Sequence, residues 1–343
     1  MKALFIGFGN VGRTIAKILS TEKDLFPGMS RLAGLMPIGI ITRSRGSVVD
    51  PCGIDFSLAL ENFGREGSFS EGIPGFTRIS GEEASSVLDY DVLVELSTLS
   101  IENEGEPATT HIRNALAGGR HAVSANKGPV SFSYRELSEL AIKAGKKFLF
   151  ETTVMDGAPV LNLCRSCLEG CTIGSVDGIF NSTTNYILTR MEEGADFDDA
   201  VREAQVAGVA EADPRNDIDG WDAAAKVSVL ANVVLGGNIT PLDVERKGIS
   251  GVSRREVERA SLSGRKLKLV CRAWKEGGKV FGKVGVEEIP RDHPFSLVSG
   301  GGAVIRIHTD LMGPVLVTQE KPGLYDTAYG VLNDLLSLSV SSP

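Results

Sequence analysis

The opening segment, Lys2-Ala-Leu-Phe-Ile-Gly7-Phe-Gly9-Asn-Val-Gly12-Arg-Thr-Ile-Ala-Lys-Ile-Leu19, limits the possible folds more than any other stretch of this chain. A short apolar run, a turn with three glycines and an amphipathic stretch follow one another, which reads as strand, loop and helix. Glycines at this spacing let backbone approach a pyrophosphate, and the helix N-terminus behind them favours its charge. The spacing alone also suits an ordinary tight turn, but a strand directly before it and a helix directly after it strengthen the dinucleotide reading. The residues that would line such a site are Gly7, Phe8, Gly9, Asn10, Val11 and Gly12.

The second strand, Met36–Ile41, runs into Thr42-Arg43-Ser44-Arg45 and not into an acid. An acid there would serve a ribose 2′-hydroxyl, whereas arginines suit a 2′-phosphate, so Arg43 and Arg45 favour NADP(H) over NAD(H). The plain alternative is that both are solvated loop charges. A buried strand over Asp91–Thr98 ends in the hydroxyls of Ser97 and Thr98, at the sheet edge where a doubly wound fold holds its ligand. A helix over His111–Ala117 and a strand over His121–Ser124 follow, and Lys127 then falls in a Gly-Pro turn at another strand end. A further strand over Lys147–Val154 leads to the domain crossover, after which Pro159 opens a helix reaching Leu168.

The densest chemistry lies in Gly208-Val-Ala-Glu-Ala-Asp-Pro-Arg-Asn-Asp-Ile-Asp-Gly-Trp-Asp-Ala-Ala-Ala-Lys226. Glu211, Asp213, Asp217 and Asp219 occupy a loop broken by Pro214 and Gly220, and Trp221 to Leu230 reads as a helix. Asp222 and Lys226 are four residues apart, hence on one face. An acid and an ammonium side by side can bind an amino group and deliver a proton; equally, such pairs occur as exposed ion pairs on many helices. Upstream, the strand Ser175–Phe180 meets Asn181-Ser-Thr-Thr-Asn-Tyr186, either a capping group or a polar cradle before a helix at Ile187.

With 343 residues the chain has enough length for two domains. A net charge of −8 with both signs well mixed leaves no basic stripe, which argues against a nucleic-acid partner. The first strand begins at Lys2, leaving no room for a signal peptide, and no apolar run approaches a membrane span, so a soluble cytoplasmic protein is expected. Five cysteines are too few and odd in number for a disulfide framework. Cys164, Cys167 and Cys171 read as buried core thiols, and the four scattered histidines offer no zinc spacing. Glu151 beside the turn Met155-Asp156-Gly157-Ala158 can offer a carboxylate and carbonyls to a hard cation, though generic turn chemistry explains the same residues.

Strands over Lys268–Trp274, Lys279–Glu287 and Ala303–Thr309, with a Gly277-Gly278 hairpin turn, form a second, mixed sheet, and Thr327–Leu338 is a closing helix. The expected fold is therefore α/β: a Rossmann-type doubly wound parallel sheet over 1–150, completed by a helix over 323–343, and a second α+β substrate and dimerisation domain over 151–322.

Gly7-Phe-Gly-Asn-Val-Gly12, Ala125-Asn-Lys-Gly128, Gly178-Ile-Phe-Asn-Ser-Thr-Thr-Asn-Tyr186 and the Glu211–Lys226 segment occur in an order that resembles homoserine dehydrogenases over nearly the whole chain. It looks like the short form, without a regulatory or kinase domain. The resemblance implies NADPH-dependent, reversible reduction of L-aspartate 4-semialdehyde to L-homoserine in threonine and methionine synthesis, in a homodimer. It implies Lys226 or Lys127 as proton donor, and Glu211, Asp222, Asp217 and Thr183 at the substrate. Lys127, Glu211, Ser182 and Gly323 would join the cofactor site. Glu151 with carbonyls of Val154, Asp156 and Ala158 would hold a monovalent cation, commonly sodium. Ser182 stands where many members have glycine, and the usual glycine-rich turn before the last helix is reduced to Lys321–Ala328. An aspartate-semialdehyde dehydrogenase would need a nucleophilic cysteine, and a dinucleotide-sensing protein would have no use for Glu211, Asp222 and Lys226 together.

Overall fold

The computed structural model describes residues 1–339, and the chain divides into two compact units: Met1–Gly157 with the segment from Gly323 onward, and Ala158–Pro322. Among the described residues no helix is long and apolar enough to cross a membrane.

The first unit is built on seven strands: β1 (Lys2–Ile6), β2 (Met36–Ile41), β3 (Ser47–Val49), β4 (Phe76–Thr77), β5 (Val92–Glu95), β6 (His121–Ser124) and β7 (Phe148–Leu149). Their order is β4-β3-β2-β1-β5-β6-β7, with β2, β1, β5, β6 and β7 parallel and the β3–β4 edge antiparallel. The chain runs outward from β1 to β2 on one side and from β5 to β7 on the other, so the carboxyl ends of β1 and β5 form the switch point where such sheets open a crevice. The helix Asn10–Leu19 packs Ile15, Ala16 and Ile18 on the sheet. The closing helix Leu324–Ser339 adds Ala328, Val331, Leu332 and Leu335 to the same core; residues 340–343 of the expected helix lie outside the described residues.

The three glycines of the first turn have two opposite reasons to be glycine. Gly7 has φ 109°, and a Cβ on it would lie 2.6 Å from the Leu96 carbonyl. Gly12 is similarly closed, its added Cβ falling 2.8 Å from Gly7 O. Around Gly9, by contrast, an added Cβ meets nothing within 4 Å. The first two permit strand and helix to pack; the third faces open space at the head of a helix.

Three expectations for this unit are corrected. The strand expected over Asp91–Thr98 is only Val92–Glu95, because the Glu95 side chain takes the Ser97 N–H and leaves Ser97 and Thr98 in the loop beyond the strand. Lys127 is not in a turn: it begins the helix Lys127–Ala144, whose N-cap Asn126 accepts the Gly128 N–H. The strand expected over Lys147–Val154 is only Phe148–Leu149, because the Glu151 N–H donates to the Asp334 carboxylate and Thr152–Met155 coils into a helical turn.

The second unit holds six strands: β8 (Ile173–Ile179), β9 (Glu245–Arg246), β10 (Arg265–Glu276), β11 (Lys279–Pro290), β12 (Ala303–Thr309) and β13 (Gly313–Gln319), ordered β13-β12-β8-β10-β11-β9. All neighbours are antiparallel except β11 with β9. Gly277 and Gly278 both take positive φ in the β10–β11 turn, the requirement of a tight hairpin. The helix Trp221–Val233 buries an Ala-rich face against β10 and β11. Before β8, the helix expected from Pro159 begins at Val160 and widens to a π turn over Leu163–Cys167. Its cysteines are not core thiols: Cys167 is exposed, Cys164 and Cys171 are half-buried, and only Cys271 is buried.

Replacing Gly7 with alanine forces a Cβ into backbone at positive φ and is expected to cost about 2–3 kcal/mol. Gly9→Ala should stay within about 0.5 kcal/mol of the parent. Denaturant unfolding of both variants checks the contrast.

Candidate active site

In the second unit, β8 ends at Ile179 and Asn181 caps the helix Ser182–Glu192, its carboxamide oxygen accepting the Thr184 N–H. That leaves the Asn181 Nδ2 group free to turn outward, and it donates to Asp217 Oδ1 at 2.7 Å and to Asp222 Oδ2 at 3.0 Å. Thr183 Oγ1 lies 2.9 Å from Asp217 Oδ2 and 3.1 Å from the Val209 carbonyl. Asp217 sits on the short turn Arg215–Ile218, after which Gly220, at φ 81°, reverses the chain into the helix Trp221–Val233. Arg246 stacks 3.6 Å over the Trp221 ring and donates to the Asp219 carbonyl, fixing that reversal.

Asp222 and Lys226 are not an exposed surface pair. Their side chains are 15% and 16% exposed, Lys226 Nζ lies 3.4 Å from Asp222 Oδ2, and it donates to the Phe180 carbonyl at 2.6 Å. Two carboxylates and one ammonium thus converge at the ends of a strand and two helices. Burial, reinforced by repulsion from Asp222, pushes the Asp217 carboxyl above its ordinary range, against the opposing pull of Asn181, Thr183 and Lys226. Such a centre favours an added cation between the two acids, and the ammonium of Lys226 can donate to an oxygen that gains charge.

Behind this cradle lies a lysine that the sequence reading passed over. Lys268 on β10 is 0% exposed and donates to Asn185 Oδ1 and to the Val298 carbonyl, both at 2.8 Å. Burial pushes its pKa down to about 8. Asn185 in turn donates to the Gly302 carbonyl, so the 298–302 loop is tied to the helix that carries Thr183. Asn181 is a second residue whose role was only half legible: the capping pattern was visible, the bridge to two distant acids was not.

Glu211 is exposed, with its carbonyl taking a hydrogen bond from Gln205, and Asp213 forms an exposed ion pair with Arg215. Ser182 is the first residue of its helix. In the first unit Phe8 is buried among Phe63 and Phe69, so only its backbone is available to a ligand; Asn10 is exposed and Val11 half-buried. Arg43 and Arg45 are exposed on a loop closed by Thr42, which donates to the Gly46 carbonyl and accepts from the Arg45 N–H. Ser97 and Thr98 follow β5, where Asn126 Nδ2 lies 3.2 Å from both Ser97 Oγ and the Thr98 carbonyl. Lys127 is half-buried beside them. Gly323 donates its N–H to Asp326 and opens the closing helix. Glu151 is 3% exposed, Val154 is buried, and Asp156 takes φ 47° and accepts from Thr327. Ala158 is half-buried at the start of the second unit. Among the described residues no three His, Cys, Asp or Glu side chains group to hold a metal ion.

The family model for homoserine dehydrogenase matches residues 159–336. A homoserine dehydrogenase of Methanocaldococcus jannaschii is 37% identical over 339 residues, covering 98% of each chain. The chain belongs to the homoserine dehydrogenase family. An NAD(+)-dependent homoserine dehydrogenase of Pseudomonas canavaninivorans is 33% identical, covering 99% of this chain and 97% of that one. The structure of a hyperthermophilic archaeal homoserine dehydrogenase in complex with NADPH matches with a TM-score of 0.82 at 30% identity, covering 99% of this chain and 98% of that one. The protein is accordingly an oxidoreductase, and the homoserine dehydrogenase family accounts for both of its units.

The raised Asp217 carboxyl has a stability consequence with a definite sign. A folded-state pKa above the unfolded one stabilises the fold fully below the unfolded value, and this is lost as pH rises through the folded value. Asp217→Asn, which keeps an acceptor for Asn181, is therefore expected to melt higher than the parent at neutral pH. The gain should shrink as pH falls into the ordinary carboxylate range, as thermal unfolding across pH would reveal.

Proposed function

We propose that this enzyme interconverts L-aspartate 4-semialdehyde and L-homoserine with NADP(H) in preference to NAD(H). The observation that carries the reading is the convergence of Asp217, Asp222 and Lys226 on the Asn181 and Thr183 side chains. Asp217 and Asp222 would receive the substrate α-ammonium, which relieves the repulsion between them. On the family resemblance Glu211 joins them. Lys226, aimed by Phe180 and Asp222, would donate a proton to the carbonyl oxygen as it becomes an alkoxide. Lys127, in the first turn of its helix, is the second candidate for that proton.

The bound nicotinamide would supply the hydride. The open space at Gly9, between two glycines closed by packing, fits a pyrophosphate against backbone at the helix N-terminus. Gly7, Phe8, Asn10, Val11 and Gly12 would contribute backbone, Ser97 and Thr98 the next strand end, and Ser182 and Gly323 further contacts. Arg43 and Arg45, exposed after β2, would take the 2′-phosphate. Glu151 with the carbonyls of Val154, Asp156 and Ala158 offers one charge and several neutral oxygens, a donor set suited to sodium.

The reading extends to a homodimer formed through the 158–322 unit, to threonine and methionine synthesis, and to the cytoplasm, where five free cysteines stay reduced. Against an aspartate-semialdehyde dehydrogenase stands Cys271, a buried thiol within the field of Lys226 and Asp222: burial pushes it up to about 12, the reverse of an activated nucleophile.

Absorbance of reduced nicotinamide on mixing the enzyme with L-homoserine and NADP or NAD tests the proposal. Lys226→Ala is expected to lose about 100-fold or more in kcat; wild-type turnover by that variant would overturn the role given to it. Arg43→Ala with Arg45→Ala should raise the NADP KM about tenfold or more and leave the NAD KM nearly unchanged.

A further inference from the structure

A carboxylate with no part in the chemistry lies beneath the dinucleotide crevice. Glu95, the last residue of β5, is 0% exposed, and both of its oxygens are used. Oε1 accepts the Ser97 N–H at 2.8 Å, and Oε2 lies 2.7 Å from His111 Nδ1 on the helix Ala108–Ala117. A carboxylate only accepts, so Nδ1 carries the proton in this contact. His111 is itself buried, and its Nε2 edge abuts Gly81, where a Cβ would come within 2.6 Å. The ring is thus wedged, and the carboxylate is turned by it.

What Glu95 holds is the Leu96–Ser97 peptide, and that peptide is the floor of the glycine turn. The Cβ position of Gly7 is 2.6 Å from Leu96 C and O and 3.0 Å from Ser97 N, and the Leu96 side chain lies 3.4 Å from the Cβ position of Gly12. On its other side the same turn is tied by Asn126, 3.2 Å from Ser97 Oγ and from the Thr98 carbonyl. With Oγ accepting from Asn126, the Ser97 hydroxyl proton is left to donate to a further acceptor.

We propose that Glu95, oriented by His111, is a positioning residue for the nicotinamide nucleotide: it fixes the Leu96–Ser97 peptide against Gly7 and so sets both the depth of the pyrophosphate cradle and the aim of Ser97. A buried carboxylate is a poor means of stabilising a strand end, since an apolar side chain of similar volume is often as good or better for the fold. A fixed acceptor for one chosen N–H is what it supplies instead. The inference rests on the reading of this crevice as the nucleotide site.

The test compares NADP dissociation constants of the intact enzyme, read by equilibrium dialysis, with steady-state constants and melting temperatures. Glu95→Leu removes the acceptor at similar volume, Glu95→Gln restores one oxygen, and Leu93→Ala is a buried variant of the same strand with no part in the network. Gly9→Val, whose Cβ meets nothing within 4 Å, blocks the cradle itself. Glu95→Leu is expected to raise the NADP dissociation constant about tenfold, with the L-homoserine KM at saturating nucleotide within twofold or so of wild type. Glu95→Gln should recover most of that loss, and Leu93→Ala should lower the melting temperature without weakening NADP. If Glu95→Leu does not fold, His111→Leu takes its place with the same expectation at several-fold. Wild-type NADP affinity in the Glu95 or His111 variants, with Gly9→Val binding weakly, overturns the positioning role alone. Wild-type affinity in Gly9→Val as well overturns the crevice reading and this inference with it. A loss in Leu93→Ala equal to that in Glu95→Leu reduces the residue to a structural one and also overturns the proposal.

Discussion

A single amide holds two acids together. Asn181 Nδ2 donates to Asp217 and to Asp222, which approach the turn after β8 from different elements. Without a shared donor, two partly buried carboxylates repel, and one of them takes up a proton. The arrangement of the second unit follows from maintaining that contact: β8 delivers Asn181 at a helix cap, Gly220 turns the chain so that Asp222 begins a helix, and Arg246 braces the turn on Trp221. Lys226 then comes one helical turn after Asp222, where the Phe180 carbonyl fixes its ammonium. Charge, capping and backbone reversal are one problem here, solved by residues dispersed over more than forty positions of sequence.

Much of this was legible in the chain, and the illegible parts share a cause. The strand Met36–Ile41 and the strand His121–Ser124 have the bounds read from their apolar runs, since each is closed by residues that favour turns or caps. The i,i+4 relation of Asp222 and Lys226 was readable from spacing; their burial was not, since it depends on the sheet behind the helix. Lys147–Val154 is apolar and β-branched enough for a strand, yet Asp334, 183 residues away, takes the Glu151 N–H and the chain coils. The edge strand Gly313–Gln319 escaped notice because Gly313 and Pro314 mask its alternation, although proline is tolerated at an edge. The thiols at 164, 167 and 171 look apolar in sequence, but the first two lie on a π turn, Cys171 lies in the loop beyond it, and none of the three is buried. Local chemistry sets turns and caps; long-range hydrogen bonds decide where a pattern stops.

Several buried polar groups serve geometry more than stability. Lys268 gives up its ordinary pKa to tie the 298–302 loop to the helix of Thr183. Asp177, on the β8 strand that delivers Asn181, is gripped by Arg306 and His308 and stays below the usual carboxylate range despite its burial. Each of these groups meets desolvation with fixed partners, so removing one partner leaves a charge stranded. Conservative substitution at such positions differs from substitution in the apolar core, where neighbouring side chains can relax.

The loop after β2 stands apart from all this. Thr42 closes it on Gly46, its own N–H reaches Ser47, and Phe69 bonds the Arg45 carbonyl, so its shape is set by backbone and two hydroxyls. Arg43 and Arg45 are exposed on it, and the contacts that close the loop use the Arg45 backbone and not its guanidinium. If Arg43 and Arg45 hold the 2′-phosphate as proposed, preference for one nucleotide over its 2′-unphosphorylated twin would be easily changed in this scaffold: two exposed guanidinium side chains could be exchanged by drift while the glycine turn after β1 remained untouched. Members of one family working with different nicotinamide cofactors are what such a separation would produce.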